Sequence, residues 1–182
     1  MVPHALRWKQ SRLSPSPTTS PLATARSLPL LPPVAAFNLT VDYNRSTSSV
    51  GSGIVTFNVT TSEYAYNDVE NGMFNGVSLH DTTNSAVKSN KAIGFQLNGI
   101  RIGDSSDNNT VATNRAENNV MAGLAAMNNS TGNTIQGNHM DGNAPDCFDD
   151  TTGTKTAMTA NFWINDFGFT ENKPGLCKHA TP

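Results

Sequence analysis

Residues 97–140 read LNGIRIGDSSDNNTVATNRAENNVMAGLAAMNNSTGNTIQGNHM and contain one short pattern twice. Gly99 is followed by Ile-Arg-Ile, and the next occurrence of the pattern is Gly123, followed by Leu-Ala-Ala. Asn114 and Asn138 are separated by the same distance along the chain as Gly99 and Gly123. A fixed period of this length is typical of a repeat protein, because each repeat is one structural unit that stacks on the next.

Both series continue outside this stretch. The glycine series is Gly53, Gly76, Gly99 and Gly123, followed by Asp146 at the same nearly constant interval. The asparagine series is Asn67, Asn90, Asn114 and Asn138, followed by Asp166 after a longer last interval. Two series that keep one period and one phase predict about five coils of about 23 to 24 residues.

Apolar and small residues recur at fixed offsets from these two series. One position after the glycine series stand Ile54, Val77, Ile100, Leu124 and Cys147. Three positions after it stand Thr56, Leu79, Ile102 and Ala126. Three positions before the asparagine series stand Tyr64, Val87, Val111, Ile135 and Trp163. Two positions after it stand Val69, Ala92, Ala116, Met140 and Gly168. Two before the glycines stand Phe74, Leu97, Met121 and Ala144. We expect all five columns to face the core from short strands.

Short strands that pair with their counterparts one coil later predict an all-β, parallel β-helix over residues 38–170. Asparagine at the corners tolerates a left-handed backbone and can bond to the asparagine of the next coil. The 22 Asn and 14 Gly residues also argue against a helical protein. Leucine-rich, calcium-binding nonapeptide and hexapeptide repeats are excluded, because their spacings are absent from the chain.

The segment 1–37 differs from the rest of the chain. It holds seven of the ten prolines, no glycine and no acidic residue. This composition predicts a disordered leader before a β-helix domain at 38–182, with a targeting sequence or a non-native leader as the alternatives. The net charge of −2 gives no support for nucleic acid as a partner. No apolar run is long enough to predict a membrane span.

The end of the chain has its own composition. Residues 146–182 contain both cysteines and five of the thirteen aromatic residues, namely Phe148, Phe162, Trp163, Phe167 and Phe169. We expect an aromatic C-terminal cap from about residue 146, because the open end of a solenoid must be covered. Cys147 and Cys177 flank this cap and are expected to form a disulfide, which would imply an oxidising compartment. The alternative is two reduced cysteines.

A polar column follows the glycines at a fixed offset: Asn58, Asp81, Asp104 and Asn128. In the predicted register Asp81 and Asp104 are stacked about 5 Å apart, with His80 and Arg101 beside them. These four residues are the candidate catalytic group. They could abstract a proton from a uronic-acid polymer or hydrolyse it, with Arg101 holding a sugar carboxylate. The alternative is that they fill solvated turns.

A second acidic group lies at the predicted cap. Asp146, Asp149 and Asp150 supply hard oxygen ligands, so that a Ca²⁺ site is one interpretation. Its alternative is a purely structural role in the cap. The residues do not establish any cofactor, and Ca²⁺ is the candidate.

Three segments resemble bacterial right-handed parallel β-helix repeat proteins, including the family of periplasmic copper-accessory proteins of nitrous oxide reductase. They are Gly132-Asn133-Thr134-Ile135-Gln136-Gly137-Asn138, residues 109–114, and the ending from Asp146 to Cys177. The resemblance covers roughly residues 50–178. It implies right-handed coiling, a secreted, periplasmic or cell-envelope location, and contact with polysaccharide.

The resemblance also bears on activity. Enzymes of this kind generally have more coils than the five counted here. We therefore expect a non-catalytic or degenerate module that contacts polysaccharide or other surface material. The alternative is a polysaccharide lyase, epimerase or glycoside hydrolase. Whether the chain is a piece of a longer β-helix, and its oligomeric state, stay open.

Overall fold

A computed structural model describes residues 36–127 and 129–179. Within them the chain is all-β, with almost no helix. The strands are β1 (Ala36–Phe37), β2 (Thr40–Asp42), β3 (Arg45–Thr47), β4 (Ile54–Thr60), β5 (Glu63–Ala65), β6 (Asp68–Glu70), β7 (Val77–Thr83), β8 (Ala86–Lys88), β9 (Lys91–Ile93), β10 (Ile100–Gly103), β11 (Thr110–Ala112), β12 (Arg115–Glu117), β13 (Leu124–Ala126), β14 (Thr134–Gln136), β15 (His139–Asp141), β16 (Cys147–Asp149) and β17 (Phe162–Ile164). A 3₁₀ turn spans Thr156–Met158.

The strands form three parallel sheets that run along one axis. Sheet A contains β1, β4, β7, β10, β13 and β16; sheet B contains β2, β5, β8, β11, β14 and β17; sheet C contains β3, β6, β9, β12 and β15. Ile100, for example, pairs with Val77 on one side and with Leu124 on the other, as the glycine series predicts. The predicted parallel solenoid of about five coils is confirmed.

The predicted leader, residues 1–37, lies outside the described residues except at its last two positions. Ala36 and Phe37 form β1 and pair with Val59 and Thr60 of β4. The first described strand therefore begins before the predicted boundary at residue 38.

Four of the five predicted inward columns form the core. Val77, Leu79 and Ile100 are fully buried, and Ile54 at the start of sheet A is partly buried. The columns of sheets B and C, from Tyr64 to Trp163 and from Val69 to Gly168, are buried as well. Strand alternation and pairing between coils therefore account for the core.

The fifth column, two positions before the glycines, is predicted wrongly. Phe74 and Met121 are about half exposed, and Ala144 is exposed. The inward position at this corner lies two positions earlier, where Phe95 is fully buried and its ring packs over Gly72. At this corner the residue before the inward position has a left-handed backbone conformation, which reverses the direction of the next side chain.

The asparagine series forms a continuous hydrogen-bond ladder between sheets B and C. Each Nδ2 donates to the Oδ1 one coil later, at 2.9 Å from Asn67 to Asn90, 3.0 Å to Asn114, 2.9 Å to Asn138 and 2.8 Å to Asp166. Each Nδ2 also donates to a backbone carbonyl, as from Asn114 to Val87 at 2.9 Å. The buried amides are therefore well satisfied within the solenoid.

Further ladders were not predicted, and two of them run toward the C-terminal end of the solenoid. One, between sheets A and B, consists of Ser62, Ser85, Asn109, Asn133 and Asn161. The other, between sheets C and A, joins Asn119 to Asn143. In the ladder between sheets A and B, serine replaces asparagine in the early coils. The period of this ladder is therefore hidden in the sequence.

These three ladders end at a buried aspartate near the C-terminal end of the solenoid. Asn138 donates to Asp166, Asn143 to Asp146 at 2.9 Å, and Asn161 to Asp149 at 3.1 Å. The last group of a ladder only has to accept hydrogen bonds. A carboxylate suits this position because it carries no N–H group that would need a partner of its own.

The disulfide between Cys147 and Cys177 is confirmed. The aromatic cap differs from its prediction. Of the five aromatic residues there, Trp163 is buried and Phe148 is half-buried, whereas the other three are exposed. Trp163, Leu176 and the disulfide therefore supply the buried apolar part of the cap.

Asp166 is expected to make the stability of the protein depend on pH. Burial raises the pKa of Asp166 from 3.8 to about 6, although hydrogen bonds from Asn138 and Ile164 oppose the change. Between these values the folded protein holds more protons than the unfolded chain, so its free energy of unfolding falls as the pH rises. We expect ionisation of Asp166 to lower the free energy of unfolding by up to about 3 kcal/mol as the pH rises from about 4 to about 6.

Urea unfolding of the native protein and of Asp166→Asn from pH 4 to pH 7 measures this effect. Asparagine keeps the acceptor for Asn138 and carries no charge, so the variant should gain stability relative to the native protein as the pH rises. Asp81→Asn, at an exposed corner, controls for the loss of one acidic group. A constant difference between Asp166→Asn and the native protein across this range would contradict the prediction.

Candidate functional site

The outer face of sheet A brings polar side chains from neighbouring coils together. Ser78 and His80 occupy alternate positions on β7 and therefore face the same way. Ser78 pairs with Arg101 of β10 and His80 pairs with Gly103. On the other side of β7, His80 pairs with Phe57 of β4.

The side chains of Ser78, His80, Arg101 and Asp104, which we call the sheet A cluster, form one connected group. His80 Nδ1 is 2.5 Å from Asp104 Oδ2, and His80 Nε2 is 3.0 Å from Ser78 Oγ. Arg101 Nη2 donates to both carboxylate oxygens of Asp104 at 3.1 Å. Arg101 Nη1 lies 3.3 and 3.4 Å from the two ring nitrogens of His80.

These contacts assign the proton of neutral His80. A carboxylate only accepts, so Nδ1 carries the hydrogen that is donated to Asp104. Nε2 is then the acceptor, and the Ser78 hydroxyl donates to it. The arrangement places a hydroxyl, a base and an orienting carboxylate in sequence.

Within the cluster Arg101 lies across β10, and Phe57 borders the cluster. A Cβ at Gly103 would lie 2.5 Å from the Arg101 guanidinium carbon, so only glycine leaves room for this side chain to lie across β10. The Arg101 side chain is 12% exposed, whereas the Ser78 residue is 1% exposed. Phe57 stacks on His80 with ring centroids 4.5 Å apart, yet it is 66% exposed.

The structure brings three of the four predicted catalytic residues together: His80, Arg101 and Asp104. Asp81 occupies the same corner column as Asp104, and its backbone N–H donates to the Asp104 carbonyl at 3.0 Å. The Asp104 carboxylate, however, turns back onto His80 and Arg101. Ser78, Phe57 and Gly103 were not predicted, although the spacing of Ser78 and His80 on one strand face could have indicated the serine.

The predicted calcium ligands do not assemble into one site. Asp146 accepts from the N–H groups of Asn143 and, through its other oxygen, from Phe169 at 2.8 Å. Asp149 accepts from the Trp163 indole at 2.9 Å and from Thr151. Asp150 is exposed. In the described part of the chain, no group of three or more His, Cys, Asp or Glu residues could hold a metal ion.

A polar cleft of about 480 Å³ lies at the corner between sheets A and B, beside the last two coils. Its lining consists of Asn129, Thr131, Asp150, Thr151, Thr152 and Ala160. Asp150 directly follows β16, so the cleft adjoins the last strand of sheet A. Hydroxyl, amide and carboxylate groups line this corner, whereas the outward positions of β13 and β16 in line with Arg101 are Ala125 and Phe148.

Comparisons with known proteins address the family. The family model described as the right-handed β-helix region matches residues 35–144. A search of curated proteins finds no match. Among residues 36–127 and 129–179, no helix has the length and apolar character needed to cross a membrane.

Proposed function

Because the chain belongs to the right-handed β-helix family, we propose that it is a secreted or cell-envelope module that binds polysaccharide on the outer face of sheet A. The fold by itself does not select a ligand. The observation that carries the proposal is an exposed aromatic ring, Phe57, stacked beside a partly buried, charged hydrogen-bonding group on a regular sheet face.

Phe57 supplies the apolar contact. Two-thirds of the residue is exposed, and its ring is supported by His80 instead of packing into the core. The face of an aromatic ring is negative and attracts the slightly positive C–H groups of a sugar ring. An exposed aromatic group beside hydrogen-bonding side chains suits a ligand with one apolar face and many hydroxyl groups.

The repeat favours a polymeric ligand. Successive strands of sheet A lie about 4.8 Å apart, so outward side chains recur at a constant spacing along the axis. A polar cleft near Asp150 lies at the edge of this face, beside the last two coils. A chain of repeating sugar units can contact several such positions at once.

The disulfide supports the proposed location. Bonds of this kind persist in oxidising compartments, which include the periplasm and the extracellular space. The Cys147–Cys177 bond joins the core of sheet A to the C-terminal segment. It is therefore part of the folded domain that would face such a compartment.

Phe57→Ala tests the proposed binding surface. We expect it to weaken binding to the best polysaccharide ligand by at least about tenfold, because an exposed aromatic anchor is lost. Affinity electrophoresis against uronate-containing and neutral polysaccharides, with and without Ca²⁺, identifies the ligand. Calorimetry then measures the affinity of each variant.

Tyr66→Ala is the matched control. Tyr66 is also about half exposed, but it lies at the corner between sheets B and C and stacks on Tyr43. Its loss should change the affinity by less than about twofold. The proposal fails if no polysaccharide binds, or if the two variants weaken binding equally.

A further inference from the structure

We propose that Ser78, His80 and Asp104 form a hydrolytic site for esters carried by an acidic polysaccharide, with Ser78 as the nucleophile. The identity of the polymer rests on the proposed function. The ester chemistry rests on the geometry of the sheet A cluster and can be tested without any polysaccharide. This inference goes beyond the expectation of a non-catalytic module.

The nucleophile and its base meet the geometric requirement for activation. Ser78 Oγ is 3.0 Å from His80 Nε2, within the range for direct proton transfer. Adjacent outward positions on β7 hold the two residues, so their separation is fixed by the strand. A rigid strand suits a catalytic pair better than a loop.

Asp104 is a positioning residue. Its contact with His80 Nδ1 holds the ring and fixes the tautomer in which Nε2 faces the serine. Asp104 itself is anchored by Arg101 and sits in a left-handed turn directly after β10, with a φ of 53°. Asn58 and Asp81 have the same left-handed conformation at this corner in the preceding coils, so the turn belongs to the repeat and holds Asp104 at a fixed position beside β10.

Arg101 explains the choice of an acidic polymer. Ser78 is 1% exposed, and Arg101 is its neighbour in the next strand. A carboxylate on the polymer competes with Asp104 for the guanidinium, and its binding would draw Arg101 away from His80 and Ser78. Acidic substrates would therefore open the site more readily than neutral ones.

The reaction balances with water as the only co-reactant. The Ser78 hydroxyl passes its proton to His80 Nε2 while Oγ bonds to the ester carbonyl carbon. The bond to the leaving oxygen breaks, and the alcohol departs with the proton from His80. Water then gives a proton to His80 and attacks the acyl-serine, which releases the carboxylic acid and restores Ser78.

Fluorophosphonate labelling of the full-length protein tests the nucleophile directly. We expect a single adduct on Ser78 by peptide mass spectrometry, and its loss in Ser78→Ala and His80→Gln. Arg101→Ala should be labelled faster than the native protein, because the serine is uncovered. A purely structural role for Arg101 predicts no such gain.

Acetate release from acetylated polygalacturonate and from p-nitrophenyl acetate measures turnover. Ser78→Ala should lower both rates by at least about 100-fold. Asp104→Asn should lower kcat at an unchanged KM, while Asp81→Asn at the equivalent corner one coil earlier should change neither. Arg101→Ala should lose the preference for the acidic polymer.

The outcomes separate this inference from the proposed function. Absence of a Ser78 adduct in both the native protein and a folded Arg101→Ala variant would overturn the hydrolytic site. So would equal labelling in His80→Gln. Loss of polysaccharide binding with labelling intact would instead contradict the binding proposal alone, and Ser78→Ala should keep its polysaccharide binding.

Discussion

Asn114→Ala is expected to lower the free energy of unfolding by about 3–6 kcal/mol. The Asn114 Oδ1 atom accepts from the backbone and side-chain nitrogens of Asn90, at 2.8 and 3.0 Å. Its Nδ2 donates to Val87 and to Asn138, both at 2.9 Å. Alanine leaves several buried groups without partners, and each of them costs about 1–3 kcal/mol.

Urea unfolding followed by circular dichroism measures the loss. Asn118→Gly is the matched control, because Asn118 is an exposed asparagine in a left-handed corner with a φ of 53°. Glycine adopts that conformation readily, so the control should change stability by less than about 1 kcal/mol. Similar losses in the two variants would show that the ladder does not stabilise the coil stack.

Asn114→Asp tests the direction of the ladder. Aspartate keeps the acceptor that Asn90 needs but replaces the donor Nδ2 with a second oxygen. That oxygen would face the Val87 carbonyl and Asn138 Oδ1 without a hydrogen between them. We expect a loss at least as large as that of Asn114→Ala above pH 6, because a buried charge is added.

Removal of the Cys147–Cys177 disulfide is expected to lower the free energy of unfolding by about 3–4 kcal/mol. The bond closes a loop across a sequence separation of 30 residues, and the unfolded chain gains entropy when it is absent. Cys147 is fully buried beside Leu124, so alanine at this position also removes core packing. The double variant Cys147→Ala/Cys177→Ala is compared with the native protein by thermal and urea unfolding.

Cys177→Ala alone separates the two contributions, since Cys147 then keeps its place in the core. It should lose most of the stability that the double variant loses, and residues 171–178 should be cleaved faster in limited proteolysis. Backbone N–H groups of Gly175 and Cys177 still donate to Glu171 and partly hold this loop. Two free thiols in the denatured, non-reduced native protein would contradict the bond itself.

The repeat period alone was sufficient to predict the coil stack. Pairing between coils follows from the constant period, because each strand meets the same strand one coil later. The burial of Val77, Ile100 and Val111 follows from strand alternation. The Asn67 to Asp166 ladder and the disulfide could be predicted from the sequence as well, since the ladder depends on one position per coil and the chain has only two cysteines.

The corners could not be predicted in this way. Phe95 faces inward and Leu97 does not, because a left-handed residue, Gly94, reverses the side-chain direction at that turn. Alternation is a property of extended strands and does not continue through such a turn. The serines that open the ladder between sheets A and B were missed because different residue types perform one role in successive coils.

The sequence alone determined which coils stack and which strand residues are buried, because those features depend on the period and on the alternation of side chains. The tertiary structure decided the sheet A cluster. His80 and Arg101 were placed close together by the register, but the contact of Ser78 with His80 and the turn of Asp104 onto both depend on side-chain directions. Gly103 matters only because Arg101 lies across it. Contacts among outward side chains are not required by the repeat, since only the inner face must pack against its neighbours in the same way in every coil.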